Sequence, residues 1–329
     1  MSATVRYLLR SAAGHAALLL VVSSCGYLLA ACALDPRGNY EERSPSPPAE
    51  VVDAALAERN LDGRPLGARY LTWVSGVVSG DLGATWDGRS VNEEMAQRVG
   101  ATLRLVAPGA LLGSVAGVLL GAWAGTRGPG WGRRLCVAGA IVVISTPVVV
   151  IAVSLQVGAI WLNNSTGMDL LRTTGESTPG GAPGVAGALA DRARHLLLPT
   201  LALALPQAAM LSLYQRAFIA EAASADFVRT ARAKGVPRRT AVRVHALRTS
   251  LLPAVDLAGY SAAGLFAGAA FVERVFGWHG VGDLLIDAVG SGDVNTVAAV
   301  CAFAALCVVA AAVFADITRV VLDPRVRAE

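Results

Sequence analysis

Six long stretches of the chain are almost free of charged residues, and they dominate its pattern of hydrophobic and polar positions. Each approaches or reaches the ~20 apolar residues that an α-helix needs to cross the hydrocarbon core of a bilayer. In lipid the backbone must satisfy its own hydrogen bonds, and runs of this length do so as helices. The stretches are 16–34, 105–126, 135–164, 196–215, 251–272 (interrupted only by Asp256) and 294–315. The sequence therefore predicts an all-α integral membrane protein with about six transmembrane helices.

The pattern divides the chain into three parts. Residues 1–34 form an N-terminal segment with the first transmembrane helix, 35–98 a sizeable external loop segment, and 99–329 a core of five further helices. In the loop segment, the proline-rich stretch 44–48 predicts an extended link, and residues 51–59 read as a helix.

The loop segment continues with an amphipathic pattern over residues 69–78, which predicts a second helix. It carries Tyr70 and Trp73, whose amphipathic rings are typical of the boundary between water and lipid. A turn at Gly80-Asp81-Leu82-Gly83 follows.

The distribution of basic residues predicts the orientation. Cytoplasmic segments carry an excess of lysine and arginine near the helix ends. Here the basic residues occupy alternate connections and both chain ends, whereas the remaining connections are acidic or mixed. They are Arg6 and Arg10; Arg127, Arg133 and Arg134; Arg229, Arg232, Lys234, Arg238, Arg239, Arg243 and Arg248; and Arg319, Arg325 and Arg327. Both termini are therefore predicted to be cytoplasmic.

The N-terminal stretch has a second interpretation. Arg6 and Arg10 followed by an apolar run resemble a signal peptide, and Leu29-Ala30-Ala31-Cys32 resembles a lipoprotein-processing box. Cleavage there would remove the first span and leave the orientation of the other five unchanged. We expect the span to be retained, because the following spans continue the same alternation of charge.

Composition excludes several function classes. With 54% hydrophobic and 16% charged residues, the chain does not read as a soluble protein. The net charge of +4 follows the membrane topology, so we expect no nucleic acid partner. No phosphate-binding G-x-x-x-x-G-K-[ST] loop occurs. The four histidines are scattered without metal-ligand spacing. The chain is therefore predicted to be non-catalytic, with no catalytic, cofactor-binding or metal-binding residues.

The second predicted span carries a glycine at every fourth position. Because residues four apart lie along one helical face, such a row lets another helix approach closely. The row consists of Gly109, Gly113, Gly117, Gly121 and Gly125. We therefore predict that it is a helix-packing surface.

The loop between the fourth and fifth spans, residues 219–250, has a recognisable local pattern. Alanine-rich residues before Gly235 favour a short helix that begins near Asp226. Gly235 can adopt the left-handed conformation that ends a helix, and Pro237 suits the first turn of the next one. This predicts a basic helix–turn–helix on the cytoplasmic surface. By charge alone, the loop could equally be a positive anchor attracted to anionic lipid.

Short motifs in a fixed order along nearly the whole chain resemble one family. Individually they are weak; together they resemble permeases of binding-protein-dependent importers, in the dipeptide, oligopeptide and nickel branch. Within 226–237, Arg229-Thr230-Ala231 stand in register with the family's loop motif, whereas Glu221-Ala222-Ala223 lie too far from Gly235. The motifs are 69–73 with 80–83, 102–105, 145–147, 195–199, 226–235 with 245–248 and 252–253, 271–282, and 322–327.

The resemblance implies a multi-pass subunit of the inner or plasma membrane that imports peptides by alternating access. It also implies partners: a second permease subunit in a heterodimer, two ATPase subunits or one fused ATPase, and an external solute-binding lipoprotein. ATP and magnesium would then be bound by the partners. The loop would couple to the ATPase through Asp226, Arg229, Arg232, Lys234, Gly235 and His245.

Other interpretations stay open at this point. A secondary transporter or channel without an ATPase would use Asp256 and Asp316 as ion-coupling sites. A membrane enzyme or scaffold is disfavoured because no catalytic constellation is present. Among importers, nickel, glutathione or sugars could replace peptide. Glu273, near the outer end of the fifth span, is a candidate for the pathway or for a structural ion pair.

Overall fold

The computed structural model describes residues 3–41, 44–45, 47–127, 130–181 and 184–322. Arg325, Arg327 and most of the closing 322–327 motif lie outside these residues. The described helices are α1 (Ala3–Ala33), α2 (Gly38–Glu41), α3 (Ala49–Glu58), α4 (Leu66–Ser79), α5 (Val91–Thr126), α6 (Trp131–Ser145), α7 (Val148–Thr166), α8 (Gly184–Ser224), α9 (Asp226–Ala233), α10 (Arg238–Ala241), a π-helical turn (Val242–Ala246), α11 (Leu247–Phe276), α12 (Val281–Gly290) and α13 (Val294–Leu322). Within these ranges, extended pairing is limited to one isolated bridge between Ala84 and Ser90.

The prediction of about six membrane-spanning helices is confirmed. Five helices are long and apolar enough to span a bilayer, and they correspond to α1, α5, α7, α8 and α13. A sixth span is formed if Arg238–Ser261 and Gly264–Phe276, bent by 49°, are taken together. The helices predicted within the external segment are also present, as α3 and α4.

The expectation of one continuous helix over residues 135–164 is wrong. The stretch is divided into α6 and α7, with Thr146 extended (φ −96°, ψ 124°) and Pro147 at φ −57°, ψ 141°. The proline ring disfavours the helical conformation in the preceding residue, and proline has no N–H to donate. α7 alone passes as a span, because α6 has only 15 residues.

The described chain separates into two compact units, which cut across the three segments predicted from sequence. The larger unit centres on Arg104–Trp278 and the smaller combines Arg10–Leu103 with His279–Val309. In the larger unit α8 is the central helix, because it contacts α6, α7 and α11. Its buried face extends over about seven turns, from His195 to Ile219.

In the smaller unit, aromatic side chains join α1 to α4. Tyr27 is fully buried and stacks on Trp73 with ring centroids 4.7 Å apart, and Tyr70 lies 5.9 Å from Tyr27. Trp73 is only 6% exposed. The ring of Trp73 is therefore covered by protein, and its placement at the water–lipid boundary stays a prediction.

The start of α13 is fixed by buried polar groups of the same unit. Asp293 accepts hydrogen bonds from the backbone N–H of Thr296 (3.2 Å) and from its hydroxyl (2.9 Å), and the N–H of Trp86 also donates to it (3.2 Å). Burial raises the pKa of Asp293, although these donors oppose the shift. Asn295 donates to the carbonyls of Arg59 (3.0 Å) and Ala84 (2.8 Å). The loops predicted to be external are thereby tied to the end of a spanning helix.

Candidate functional site

The loop singled out by its basic residues is a short helix with a sharp stop. α9 ends at Ala233, and Gly235, two residues later, has a φ of +87° in the left-handed region. The N–H of Val236 donates to the carbonyl of Ala231 (3.2 Å), and that of Gly235 donates to the carbonyl of Arg232 (3.0 Å). This pair of bonds is the Schellman arrangement that closes helices at glycine. Pro237 then directly precedes α10.

The segment 219–250 includes the ends of two long helices as well as the connection between them. It begins in the last turns of α8 and ends in the first turn of α11. Between them, α9, α10 and the π-helical turn continue with breaks of only a few residues. The helix–turn–helix predicted from sequence is thus built directly into two long helices.

One face of α9 holds it onto the rest of the larger unit. Val228, which is 1% exposed, belongs to a buried cluster, here called the anchor cluster. Its other buried members are Ile219, Ala241, Val242 and Ala246. Ala231 and Val236 pack against it from the same segment. The cluster therefore joins the end of α8, α9 and the π-helical turn into one packed element.

The charged side chains of α9 and of the turn after it lie outside this packed contact and are open to solvent. Asp226, Arg229, Arg232, Lys234 and Gly235 are all exposed. The guanidinium of Arg229 lies 3.3 Å from the carboxylate of Asp226, but the two side chains are 76% and 94% exposed. Such exposed pairs contribute about 0–1 kcal/mol. The side chains are therefore free to exchange these contacts for a partner.

His245 lies in the π-helical turn, where it is exposed. The hydroxyl of Thr249 donates to its backbone carbonyl (3.0 Å). Single π turns are rare and occur often at functional sites. This turn could not be predicted from sequence, because none of the residues Val242–Ala246 departs from an ordinary helical composition.

The glycine row faces α8 along its whole length. A Cβ atom built on Gly109, Gly113, Gly117, Gly121 or Gly125 would lie 2.6–3.1 Å from a side-chain atom of α8. The residues met are Leu203, Gln207, Leu211, Gln215 and Ile219. Both helices therefore advance by four residues per contact and run in the same direction. The last contact is with Ile219 of the anchor cluster, so the row ends where α9 attaches.

Two glutamines of α8 were not singled out from sequence, yet they connect the helices of this unit. Gln207 donates to the hydroxyl of Ser261 (2.6 Å), and Gln215 donates to that of Ser250 (2.9 Å). Both glutamines are at least 96% buried. They are spaced eight residues apart in an apolar run, on the face that meets the glycine row. That spacing is the signal that could have revealed them.

Glu273, the candidate for the pathway, is fully buried. In the described chain its carboxylate faces protein and does not line an open surface. Its backbone carbonyl accepts the N–H of Trp278 (2.8 Å), beside Gly277 at the end of α11. Burial favours the structural alternative for this residue, and the pathway role stays a prediction.

The chain is similar to known membrane transport proteins over most of its length. Residues 117–328 match the family described as "Binding-protein-dependent transport system inner membrane component". The oligopeptide transport system permease protein OppB of Mycobacterium tuberculosis is 44% identical over 98% of this chain and 99% of its own length. The dipeptide transport system permease protein DppB of Escherichia coli is 30% identical (83% and 84%). The glutathione transport system permease protein GsiC of Escherichia coli is also 30% identical (86% and 86%).

Proposed function

The chain belongs to the family of binding-protein-dependent transport system inner membrane components, and from this premise we propose that it is a permease subunit of an ATP-binding-cassette importer for di- and oligopeptides. Peptide is the preferred substrate because OppB and DppB are named for oligopeptides and dipeptides. Glutathione, named for GsiC, is the alternative. The chain is a multi-pass membrane protein.

We further propose that this chain is the non-catalytic part of a larger assembly. A second permease subunit would complete the pathway, an external solute-binding lipoprotein would deliver the peptide, and two ATPase subunits or one fused ATPase would bind ATP and magnesium. Conformational change would follow if the nucleotide-bound ATPases bind one state of the permease better than the other. Without such a difference in affinity, ATP could not drive alternating access.

The observation that carries the coupling proposal is the contrast between the packed and the exposed side chains of α9. Its basic side chains are exposed, while Val228 is buried in the anchor cluster. A helix held by packing can act as a rigid element when a partner binds its exposed side chains. We assign these exposed side chains, with Arg229 and Arg232, to contact with the ATPase.

Two connections lead from α9 to the spanning helices. The first passes through the anchor cluster to Ile219, which contacts Gly125 of α5. The second is the chain itself, which runs from α9 through α10 and the π-helical turn into α11. Gln215 and Ser250 join the two routes, because their hydrogen bond links α8 to α11. Movement of α9 would thus reach α5, α8 and α11 together.

Reversing the charge of the exposed basic side chains tests this assignment. We expect the R229E/R232E variant to lower substrate-stimulated ATPase activity of the assembled complex at least tenfold, because complementary charges would become repulsive. Both side chains are exposed, so folding and membrane insertion should be unchanged. The measurement is ATP hydrolysis in proteoliposomes with and without peptide-loaded binding protein.

The matched control is R192E/R194E, which makes the same charge change on exposed residues at the other end of α8. It should couple normally. Equal stimulation in R229E/R232E and the wild type would contradict the assignment of α9. Uptake of peptide by the full-length chain alone, without ATPase subunits, would instead contradict the importer proposal itself.

A further inference from the structure

The larger unit contains an apolar groove that the coupling proposal does not use. It has a volume of about 670 Å³ and lies between α5, α6 and α8. Its walls include Trp123, Leu135, Gly139 and Leu205. The volume falls within the roughly 300–1,000 Å³ of typical ligand sites. Polar groups are almost absent from its lining, so a hydrocarbon chain is the ligand chemistry that it fits.

A second cavity, of about 400 Å³, lies at the end of the same helices that the distribution of basic residues predicts to be cytoplasmic. Five of its ten lining residues are arginines, and none of the described residues that line it is acidic. The arginines are Arg127, Arg133, Arg216, Arg238 and Arg239. They come from the residue after α5 and from α6, α8 and α10, so the fold, and not a local run of sequence, brings the positive charges together.

The arginines of this cavity are available to a ligand. Within the described part of the chain, no carboxylate lies within 4 Å of any of the five. The Nε atom of Arg216 is buried and has no hydrogen-bond partner. An anion in the cavity would lie beside five positive charges that no neighbouring carboxylate offsets, which makes the cavity a site for a negative group.

The groove and the cavity form one continuous surface on α8. Leu205, Ala209 and Ser212 line the groove, and Arg216, Ala220 and Ala223 line the cavity. Their spacing of three or four residues keeps them all on one helical face.

Two tryptophans mark the level at which the groove meets the cavity. The guanidinium of Arg127 lies 4.6 Å from the ring of Trp123, and that of Arg134 lies 5.9 Å from Trp131, which is 83% exposed. Tryptophan and arginine at helix ends are typical of the membrane interface. The basic cavity therefore lies at the depth of lipid headgroups and the groove at the depth of acyl chains.

We infer that an anionic phospholipid of the cytoplasmic leaflet binds at this site. One acyl chain occupies the groove, and the phosphate lies among the five arginines. Each basic residue near the membrane surface increases the affinity for anionic lipid roughly fivefold. Because Arg238 and Arg239 belong to the segment 219–250 and Arg133 to α6, the headgroup bridges these elements.

Native mass spectrometry of the detergent-purified complex, titrated with phosphatidylglycerol or phosphatidylcholine, tests this inference. We expect phosphatidylglycerol to bind at least tenfold more tightly than phosphatidylcholine. R133Q/R239Q should weaken phosphatidylglycerol binding about tenfold or more. R192Q/R194Q removes the same charge elsewhere and should bind like the wild type. G139L should fill the groove and weaken binding severalfold. Folding should be preserved, because a Cβ at Gly139 meets no atom within 4 Å.

Several results would overturn the inference. Equal binding of the two lipids, or an equal loss in R192Q/R194Q, would indicate unspecific attraction. Full displacement of the lipid by glycerol 3-phosphate, together with normal binding by G139L, would indicate a site for a free anion. Binding by the isolated full-length chain but not by the complex would show that a partner subunit covers the groove. None of these measurements depends on ATP hydrolysis, so the inference stands or falls separately from the coupling proposal.

Discussion

Replacing Gly235 with valine is expected to abolish substrate-stimulated ATP hydrolysis by the assembled complex while leaving membrane insertion intact. Gly235 has a φ of +87°, where a β-branched residue is strained by about 1–3 kcal/mol. The strain is relieved if the Schellman bonds at Ala231 and Arg232 open, and the end of α9 then changes direction. A loss of coupling of at least tenfold should follow. Stimulated ATPase activity in proteoliposomes and the amount of chain in the membrane fraction are the two measurements.

Two controls separate this effect from general damage. Gly235→Asn should retain coupling, because asparagine tolerates the left-handed region and a Cβ at this position meets no atom within 4 Å. Gly167→Val places the same strain at the left-handed end of α7 (φ +66°), also in open space. It should leave coupling unchanged. Normal stimulation in Gly235→Val would count against docking of this segment to an ATPase.

Replacing Gly121 with leucine is expected to cause the largest loss of stability. Its Cβ would lie 2.6 Å from the Cβ of Gln215 and 2.6 Å from the backbone oxygen of Ser212. A backbone oxygen cannot move aside, so α5 and α8 would have to separate along the glycine row. We expect a cost at or above the upper end of the roughly 1–3 kcal/mol typical of overpacking. The melting temperature in detergent and the yield of monodisperse complex should both fall.

Gly158→Leu provides the matched comparison for this variant. Gly158 lies in α7, and a Cβ there meets no atom within 4 Å. The same increase in side-chain size should therefore leave the melting temperature within about a degree of the wild type. If Gly121→Leu behaved in the same way, the close approach of α5 and α8 would not be needed for folding.

The spans and the turn at Gly235 could be predicted because each depends on local chemistry. Whether a proline interrupts a helix could not be predicted in the same way. Pro108, Pro199, Pro206 and Pro253 lie inside helices that continue through them, whereas Pro147 separates α6 from α7. In membranes neighbouring groups can satisfy the backbone that a proline exposes, so the outcome depends on tertiary surroundings. Hydropathy cannot distinguish these cases.

The parts of the candidate site that sequence did not reveal also depend on tertiary contacts. Gln207 and Gln215 look like isolated polar residues in an apolar run until α11 brings Ser261 and Ser250 within hydrogen-bonding distance. The stacking of Trp73 on Tyr27 could not be predicted either, because the two residues are far apart in sequence. The glycine row could be predicted as a contact surface, but its neighbour could not, because many helices are compatible with small residues.

The π-helical turn at Val242–Ala246 makes the direction of the basic side chains sensitive to chain length. A π turn holds an additional residue compared with an α turn, and each residue of an α-helix corresponds to a rotation of about 100°. Deleting one residue here would let α10 and α11 join in regular α-helical phase, and everything before the deletion would rotate by that angle around the helix axis. Arg229 and Arg232 would then face a different direction although no side chain had changed. An insertion or deletion in these five residues would therefore change the direction of the basic side chains, whereas a substitution at the same positions would not.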